Sequence, residues 1–432
     1  MMKNEFFTLK NGLRVLLIDT NTFPTITTLL LVGAGSRYEN EKNNGVSHFL
    51  EHMFYKGSKK YPNPEIISQI IEGMGGYWNA FTSKDYTGYY VKASTDHFEQ
   101  MVDMISDLLL NSLFDPTEIE KEKGVICEEI NMYEDMPQRR IGDIFENVMF
   151  KGNALGYDIA GSKKTVTSFD RKTFTDYRSQ LYHPNNAVLV VAGGLNTNKN
   201  SKFNILSFQK IIEEKFGGWK RENKAMFINV KNSFAEPHIL IHSKKTEQAH
   251  FCFGYPTFTI NDPRKPALKV LATVLGGGAS SRLFQEVREK RGLCYYIGTG
   301  IEQYNDIGNI VTQAGVAKDI EKVKDAVHAT QKEHNKIAQG TISDADIVRS
   351  KEMLKGRLLL ALEDSFNIAH FYGMKQLHEN KTDSPEDRIK QIEKVTKEEI
   401  ISLAKEIFVP EKLTFVIIGP FEKDVIKAED FG

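Results

Sequence analysis

His48, Glu51 and His52 are the residues whose types and spacing most directly suggest chemistry. They lie in the run Gly45-Val46-Ser47-His48-Phe49-Leu50-Glu51-His52-Met53-Phe54-Tyr55-Lys56-Gly57. On an α-helix, residues four apart stack on one face with Cβ atoms about 5–6 Å apart. Two imidazoles so placed can grip one divalent metal ion, and Glu51, three residues after His48, points to the same side. A carboxylate beside a metal can take a proton from water, so the trio points to zinc-assisted hydrolysis. The competing reading is a pair of surface histidines bracketing an ordinary glutamate, with Leu50 and Met53 turned to the core.

A hydrolytic zinc site uses three protein ligands and leaves a position for water, so a third ligand must come from elsewhere. The run Lys121-Glu122-Lys123-Gly124-Val125-Ile126-Cys127-Glu128-Glu129-Ile130 is rich in carboxylates. Glu122 and Glu129 are two helical turns apart and share a face. One could bind metal while the other anchors a ligand histidine. Spacing alone does not choose between Glu128 and Glu129, and a solvated charged face accounts for the segment equally well. The glycines from Gly276 to Ser281 lack the Gly-Lys-Ser/Thr ending of a phosphate loop, which sets nucleotide binding aside. His97, His183, His238, His242, His250, His328, His334, His370 and His378 are scattered, and none is assigned to metal.

The elements that must position these residues are read from periodicity and turn chemistry. Residues 6–18 read as a short hairpin about Asn11-Gly12, and Thr25 to Val32 as a buried strand. The helix bearing His48 starts somewhere between Asn43 and Ser47, with no clean cap. Helices follow over Pro62 to Met74, Phe98 to Leu110, Thr117 to Met132, Arg139 to Met149 and Lys172 to Leu181. Tyr77 to Ser94, dense in aromatics and Thr, reads as one long strand, and Asn186 to Gly193 as another. A polar surface loop is expected over Asn196 to Ser201, then a helix over Phe203 to Phe216. The second half repeats the order. Strands are expected over Ile239 to Ser243, Ala249 to Tyr255, Cys294 to Gly300, Ile310 to Ala314 and Leu413 to Ile418. Helices are expected over Pro266 to Leu275, Arg282 to Arg291, Ile320 to Gln339, Ser343 to Glu363 and Glu386 to Ala404. Both halves close on an apolar strand stopped by glycine, so the fold class is α+β, with two copies of one unit over residues 1–220 and 221–432.

Composition narrows the function classes. The chain has 432 residues, 41% hydrophobic and 26% charged, with a net charge of −1, which suits a folded protein of more than one domain. That charge offers no attraction to nucleic acid or an acidic membrane surface. Cys127, Cys252 and Cys294 are too few and too scattered for a disulfide scaffold or a thiolate zinc site. The apolar runs fall far short of the roughly 20 residues of a membrane span. Met1 to Gly12 resembles no targeting peptide, so the expected location is cytoplasmic.

The run Gly45-Val46-Ser47-His48-Phe49-Leu50-Glu51-His52-Met53, with a glutamate 76 intervening residues beyond His52, resembles the pitrilysin and mitochondrial processing peptidase family. The likeness extends to Asn79-Ala80-Phe81-Thr82, Val125-Ile126-Cys127-Glu128-Glu129, Leu275-Gly276-Gly277-Gly278-Ala279-Ser280-Ser281-Arg282-Leu283-Phe284 and Arg291-Gly292-Leu293-Cys294-Tyr295. The resemblance implies two homologous domains, each an antiparallel-rich mixed sheet packed against helices. It implies that His48, His52 and Glu129 bind one Zn²⁺ per chain, that Glu51 is the general base and that Glu122 is a supporting carboxylate. Asn79, Ala80 and Phe81 would lie on a strand that holds peptide substrate. Arg288 and Tyr295, otherwise an ordinary helix cation and strand aromatic, match the pair that the family's second domain brings over substrate. Tyr295 would donate to the oxyanion and Arg288 hold the peptide backbone. Relatives of this length work as dimers, so a homodimer acting on short or unfolded peptides is expected. The alternative is a non-catalytic partner or scaffold subunit of a heterodimeric processing peptidase.

Overall fold

The computed structural model describes residues 3–195, 205–231, 234–423 and 425–431; the polar stretch Asn196 to Ser201 lies outside them. The chain forms two compact units that are not consecutive stretches. The first comprises Met1–Ile130, Tyr157–Ile228 and Leu360–Asp383, and the second Asn131–Gly156, Asn229–Leu359 and Ser384–Gly432.

The first unit is built on six strands: β1 (Lys3–Thr8), β2 (Arg14–Asp19), β3 (Thr25–Val32), β4 (Tyr77–Thr82), β5 (Thr87–Ser94) and β6 (Ala187–Gly193). Their order is β1-β2-β6-β3-β5-β4, so β4 ends the sheet. Only β2 and β6 run parallel; the other neighbours are antiparallel. Leu30, Val91, Leu189 and Val191 face a core shared with helices Val46–Phe54 and Phe98–Leu110. On the opposite face Leu29, Leu31, Val188 and Val190 meet Ile368, Ala369 and Tyr372 of a helix spanning Ser365–His378. Strands covered on both faces read as near-continuous apolar runs, which is why β3 and β6 are legible and alternation is lost.

The second unit has β7 (His238–Ser243), β8 (Gln248–Thr257), β9 (Cys294–Gln303), β10 (Gly308–Ala317) and β11 (Thr414–Gly419), ordered β7-β11-β8-β10-β9. Again a single parallel pair, β7 with β11, sits beside antiparallel neighbours. Without β1, the first sheet has this same order and sense, so one α+β topology occurs twice. Its main core joins helices Lys265–Gly276, Ile320–Ala338 and Lys397–Ile407. Its other face packs Cys252, Val416 and Ile418 against Ile141, Phe145 and Met149 of helix Pro137–Met149.

Several expectations need correction. Tyr77 to Ser94 is not one strand but the hairpin β4–β5, turned at Ser83–Tyr86 where the Ser83 N–H bonds the Tyr86 carbonyl (2.8 Å). Glu386 to Ala404 is broken into Pro385–Glu393 and Lys397–Ile407, because Thr396 caps the second helix and Glu399 returns a bond to the Thr396 N–H (2.8 Å). The stretch Arg282 to Arg291 widens into π-type turns over Phe284–Lys290. Helix Ser365–His378 had no counterpart in the sequence reading. Its residues Phe366, Ile368, Ala369, Phe371, Tyr372, Met374 and Leu377 lie around the helix rather than in one stripe, so the 3.6-residue signal is weak.

Candidate metal centre

Helix Val46–Phe54 is oriented by its core side. Val46, Phe49, Leu50, Met53 and Phe54 are at most 1% exposed and follow helical spacing, which leaves His48, Glu51 and His52 on the other side. The burial that the bland reading expected for Leu50 and Met53 therefore coexists with a site. The helix opens at Gly45, whose φ of 97° suits glycine and which has no side chain to cap with. Glu39 supplies the cap from outside the helix. Its carboxylate accepts the N–H groups of Gly45 and Ser47 (both 2.8 Å), the Asn44 amide (2.9 Å) and the Ser47 hydroxyl. The Ser47 hydroxyl also accepts from Tyr177 (3.1 Å).

Burial lifts the Glu39 carboxyl to about 7, and these donors hold it from rising further. Between its ordinary 4.5 and about 7, folding thus takes up a proton, so this group's contribution to stability is present below 4.5 and lost as pH rises to about 7. Glu39→Ala strands several buried donors and should lower unfolding free energy by about 1–3 kcal/mol in urea melts at neutral pH. The variant should also lack that pH slope.

The second helix of the site spans Pro116–Glu134 and buries Ile119, Glu122 and Ile126, so a mixed apolar and acidic stripe faces inward. Glu129 continues that stripe, whereas Glu128 is exposed. His48 Nε2 lies 3.5 Å and His52 Nε2 3.7 Å from Glu129 Oε2, and one ligand atom from each of the three residues falls within 4.8 Å of the others. A tetrahedral zinc with bonds of about 2.0–2.1 Å spaces its ligand atoms about 3.4 Å apart, so these donors fit one ion. It is the one such His/Cys/Asp/Glu group among the described residues.

Glu122 stands behind this group. Its Oε1 bonds His52 Nδ1 at 2.8 Å, which leaves Nε2 directed at Glu129, and its Oε2 pairs with Lys56 Nζ at 2.5 Å. Burial alone would raise the Glu122 carboxyl, but the His52 and Lys56 hydrogen bonds and charges hold it below its ordinary range. Burial works against a charged His52, yet Glu122, Glu51 and Glu129 together raise it. Glu51 is pushed up, chiefly by burial and also by Glu129, while Thr82 and His52 oppose the shift. Its Oε2 accepts the Thr82 hydroxyl at 2.5 Å.

Strand alternation on β4 puts Trp78, Ala80 and Thr82 toward the His48 helix and Tyr77, Asn79 and Phe81 away from it. Trp78 packs at a tilt against Tyr55 (4.4 Å between centroids), and Phe81 meets Phe366 edge-on (6.0 Å). Asn79 is exposed; its Oδ1 accepts the Ala80 N–H (2.8 Å) and its carbonyl accepts Tyr55 OH (3.4 Å). Arg288 and Tyr295 belong to the second unit, where they meet each other. The Arg288 guanidinium lies 4.5 Å from the centre of the Phe284 ring and 5.7 Å from that of Tyr295, a residue that is 73% exposed. Sequence reasoning missed Glu39, Lys56 and the role of Thr82. Strand period would have placed Thr82 beside Ala80, but nothing local ties Glu39 to a helix that starts seven residues later.

These features define a duplicated α+β chain with a metal-capable site in its first unit. A family model described as "Insulinase (Peptidase family M16)" matches residues 14–163, and one described as "Peptidase M16 inactive domain" matches residues 168–354. The "Uncharacterized zinc protease YmxG" of Bacillus subtilis is 34% identical over 415 residues, covering 96% of this chain and 98% of its own. An "Uncharacterized zinc protease" of Rickettsia felis is 32% identical over 417 residues, covering 95% and 96%. Among solved structures, a protease from Helicobacter pylori aligns with a TM-score of 0.88 at 23% identity, covering 97% of this chain and 100% of its own. A protein from Pseudomonas fluorescens, titled a peptidase M16 inactive domain, aligns at 0.87 with 17% identity, covering 97% and 99%. The chain belongs to peptidase family M16. Among the described residues, no helix is long and apolar enough to cross a membrane.

Proposed function

We propose that the chain is a zinc-dependent endopeptidase that holds short or unfolded polypeptides as an added strand along β4. The observation that carries this reading is the convergence of His48, His52 and Glu129 beside a half-buried carboxyl, Glu51, whose hydrogen-bond partner ends the sheet's edge strand. His48, His52 and Glu129 would hold the ion, with Glu122 fixing the His52 tautomer. A zinc ion there supplies a Lewis acid that polarises a peptide carbonyl and acidifies water. Glu51 accepts a proton from the attacking water and returns it to the leaving amine. An edge strand binds peptide through main-chain hydrogen bonds, with little demand on side chains, and Asn79, Ala80 and Phe81 line that edge. Arg288 and Tyr295 are assigned to holding the peptide backbone and the developing oxyanion by family resemblance, and the same resemblance suggests a homodimer.

The test is cleavage of a graded series of peptides by the purified chain, with and without chelator, alongside metal analysis and sedimentation. Stoichiometric zinc, and cleavage that chelation removes and zinc restores, are the expected results. A zinc-free, inert chain would place it instead with the non-catalytic partner subunits.

A further inference from the structure

We propose that Thr82 is a positioning residue that aims Glu51, and that one loop, Gly33–Glu39, sets the distance between them. This rests on the peptidase reading and adds to it a residue that acts through the base. The Thr82 hydroxyl donates to Glu51 Oε2 at 2.5 Å, while Oε1 has no hydrogen-bond partner among the described residues. One carboxylate oxygen is therefore pinned and the other is left to take a proton. A hydroxyl has a single hydrogen to give, so the contact is selective for one oxygen.

Donor and acceptor sit on different elements, and both are fastened to the same short loop. On one side, Glu39 holds the first turn of the Glu51 helix through Gly45 and Ser47. On the other, the turn that follows Thr82 is clamped. The Ser36 N–H bonds the Ser83 carbonyl (3.2 Å) and the Arg37 N–H bonds the Lys84 carbonyl (3.1 Å). Gly35 packs so closely against those two carbonyls that any side chain there would collide with them. Arg37, fully buried, pairs with Asp85 of the turn at 2.9 Å, and Lys84 Nζ bonds the Tyr157 carbonyl. The Thr82–Glu51 contact thus joins two anchored ends, and it links the base to the last residue of the edge strand.

The experiment compares Thr82→Val, which keeps the shape and removes the donor, with Thr82→Ser, which keeps the donor. Steady-state cleavage of a fluorogenic peptide and zinc affinity by chelator competition are measured on both and on wild type. Thr82→Val should lower kcat roughly ten- to a hundredfold, because a misaimed base costs rate rather than binding. KM and zinc affinity should stay within about twofold of wild type, and Thr82→Ser should recover kcat to within about threefold. Wild-type kcat in Thr82→Val, equal impairment in Thr82→Ser, or a parallel loss of zinc affinity would each overturn the proposal. Zinc-loaded wild type that leaves the peptide uncut would instead sink the peptidase reading itself.

Discussion

Glu51→Gln should bind zinc as wild type does and lose turnover by roughly a hundred- to ten-thousandfold, the range that a general base contributes. Glutamine matches the carboxylate in shape and can still accept the Thr82 hydroxyl, so the helix and its neighbours need not move. It cannot take a proton at neutral pH. His48, His52 and Glu129 keep their mutual spacing, because the helix is oriented by Val46, Phe49, Leu50, Met53 and Phe54 on its far side. The measurement is a pair: zinc by chelator competition, and kcat/KM on one peptide. Wild-type cleavage by the variant would remove Glu51 from the chemistry, whereas joint loss of zinc and activity would make it a structural residue.

Glu129→Ala and Glu128→Ala, adjacent in sequence, should behave in opposite ways. Removing a hydrogen-bond partner of a ligand costs about ten- to a hundredfold in metal affinity, so loss of a ligand oxygen should cost more than about a hundredfold. Glu129 Oε2 lies within 3.7 Å of both imidazole Nε2 atoms, so its loss takes one of three donors and the charge that draws a divalent ion. Glu128 is exposed, about 100° round the helix from Glu129, and its replacement should change affinity by about twofold or less. Zinc titration of both variants decides the matter, with thermal melts to show that each is folded. Equal affinities would refute the assignment of the third ligand.

Legibility followed the range of the interactions. The His48–His52 pair was readable because helix geometry alone brings residues four apart together. Glu122 and Glu129 are placed on one face by the same rule, but helical spacing does not match them to the histidines and only family resemblance did, since that meeting depends on two helices 70 residues apart in the chain packing together. Turn chemistry at Ser83–Tyr86 was hidden inside an aromatic-rich run, and so one strand was read where two exist. Helix Ser365–His378 went unseen because it lies against a sheet with apolar residues around it, a pattern without a clear period. The chain passes between units more than once: Asn131–Gly156 belong to the second and Leu360–Asp383 to the first. No local signal marks such an exchange, because each of these helices is satisfied by a sheet far away in sequence.

Short-range covalent spacing by itself determined the two-histidine face, the α+β class, the repeated strand order and the apolar central strands, since period and propensity act within a few residues. Spacing left Glu128 and Glu129 open, and only family resemblance implied Glu129. Tertiary structure, through the packing of two helices, is what brings Glu129 to His48 and His52, sets Glu122 and Lys56 behind His52, and lets Glu39 cap a helix it does not belong to. It also decided that Thr82 reaches Glu51. Each of these is a contact between side chains on separate elements, a few ångströms across, and its existence depends on how cores of fixed volume bring those elements together.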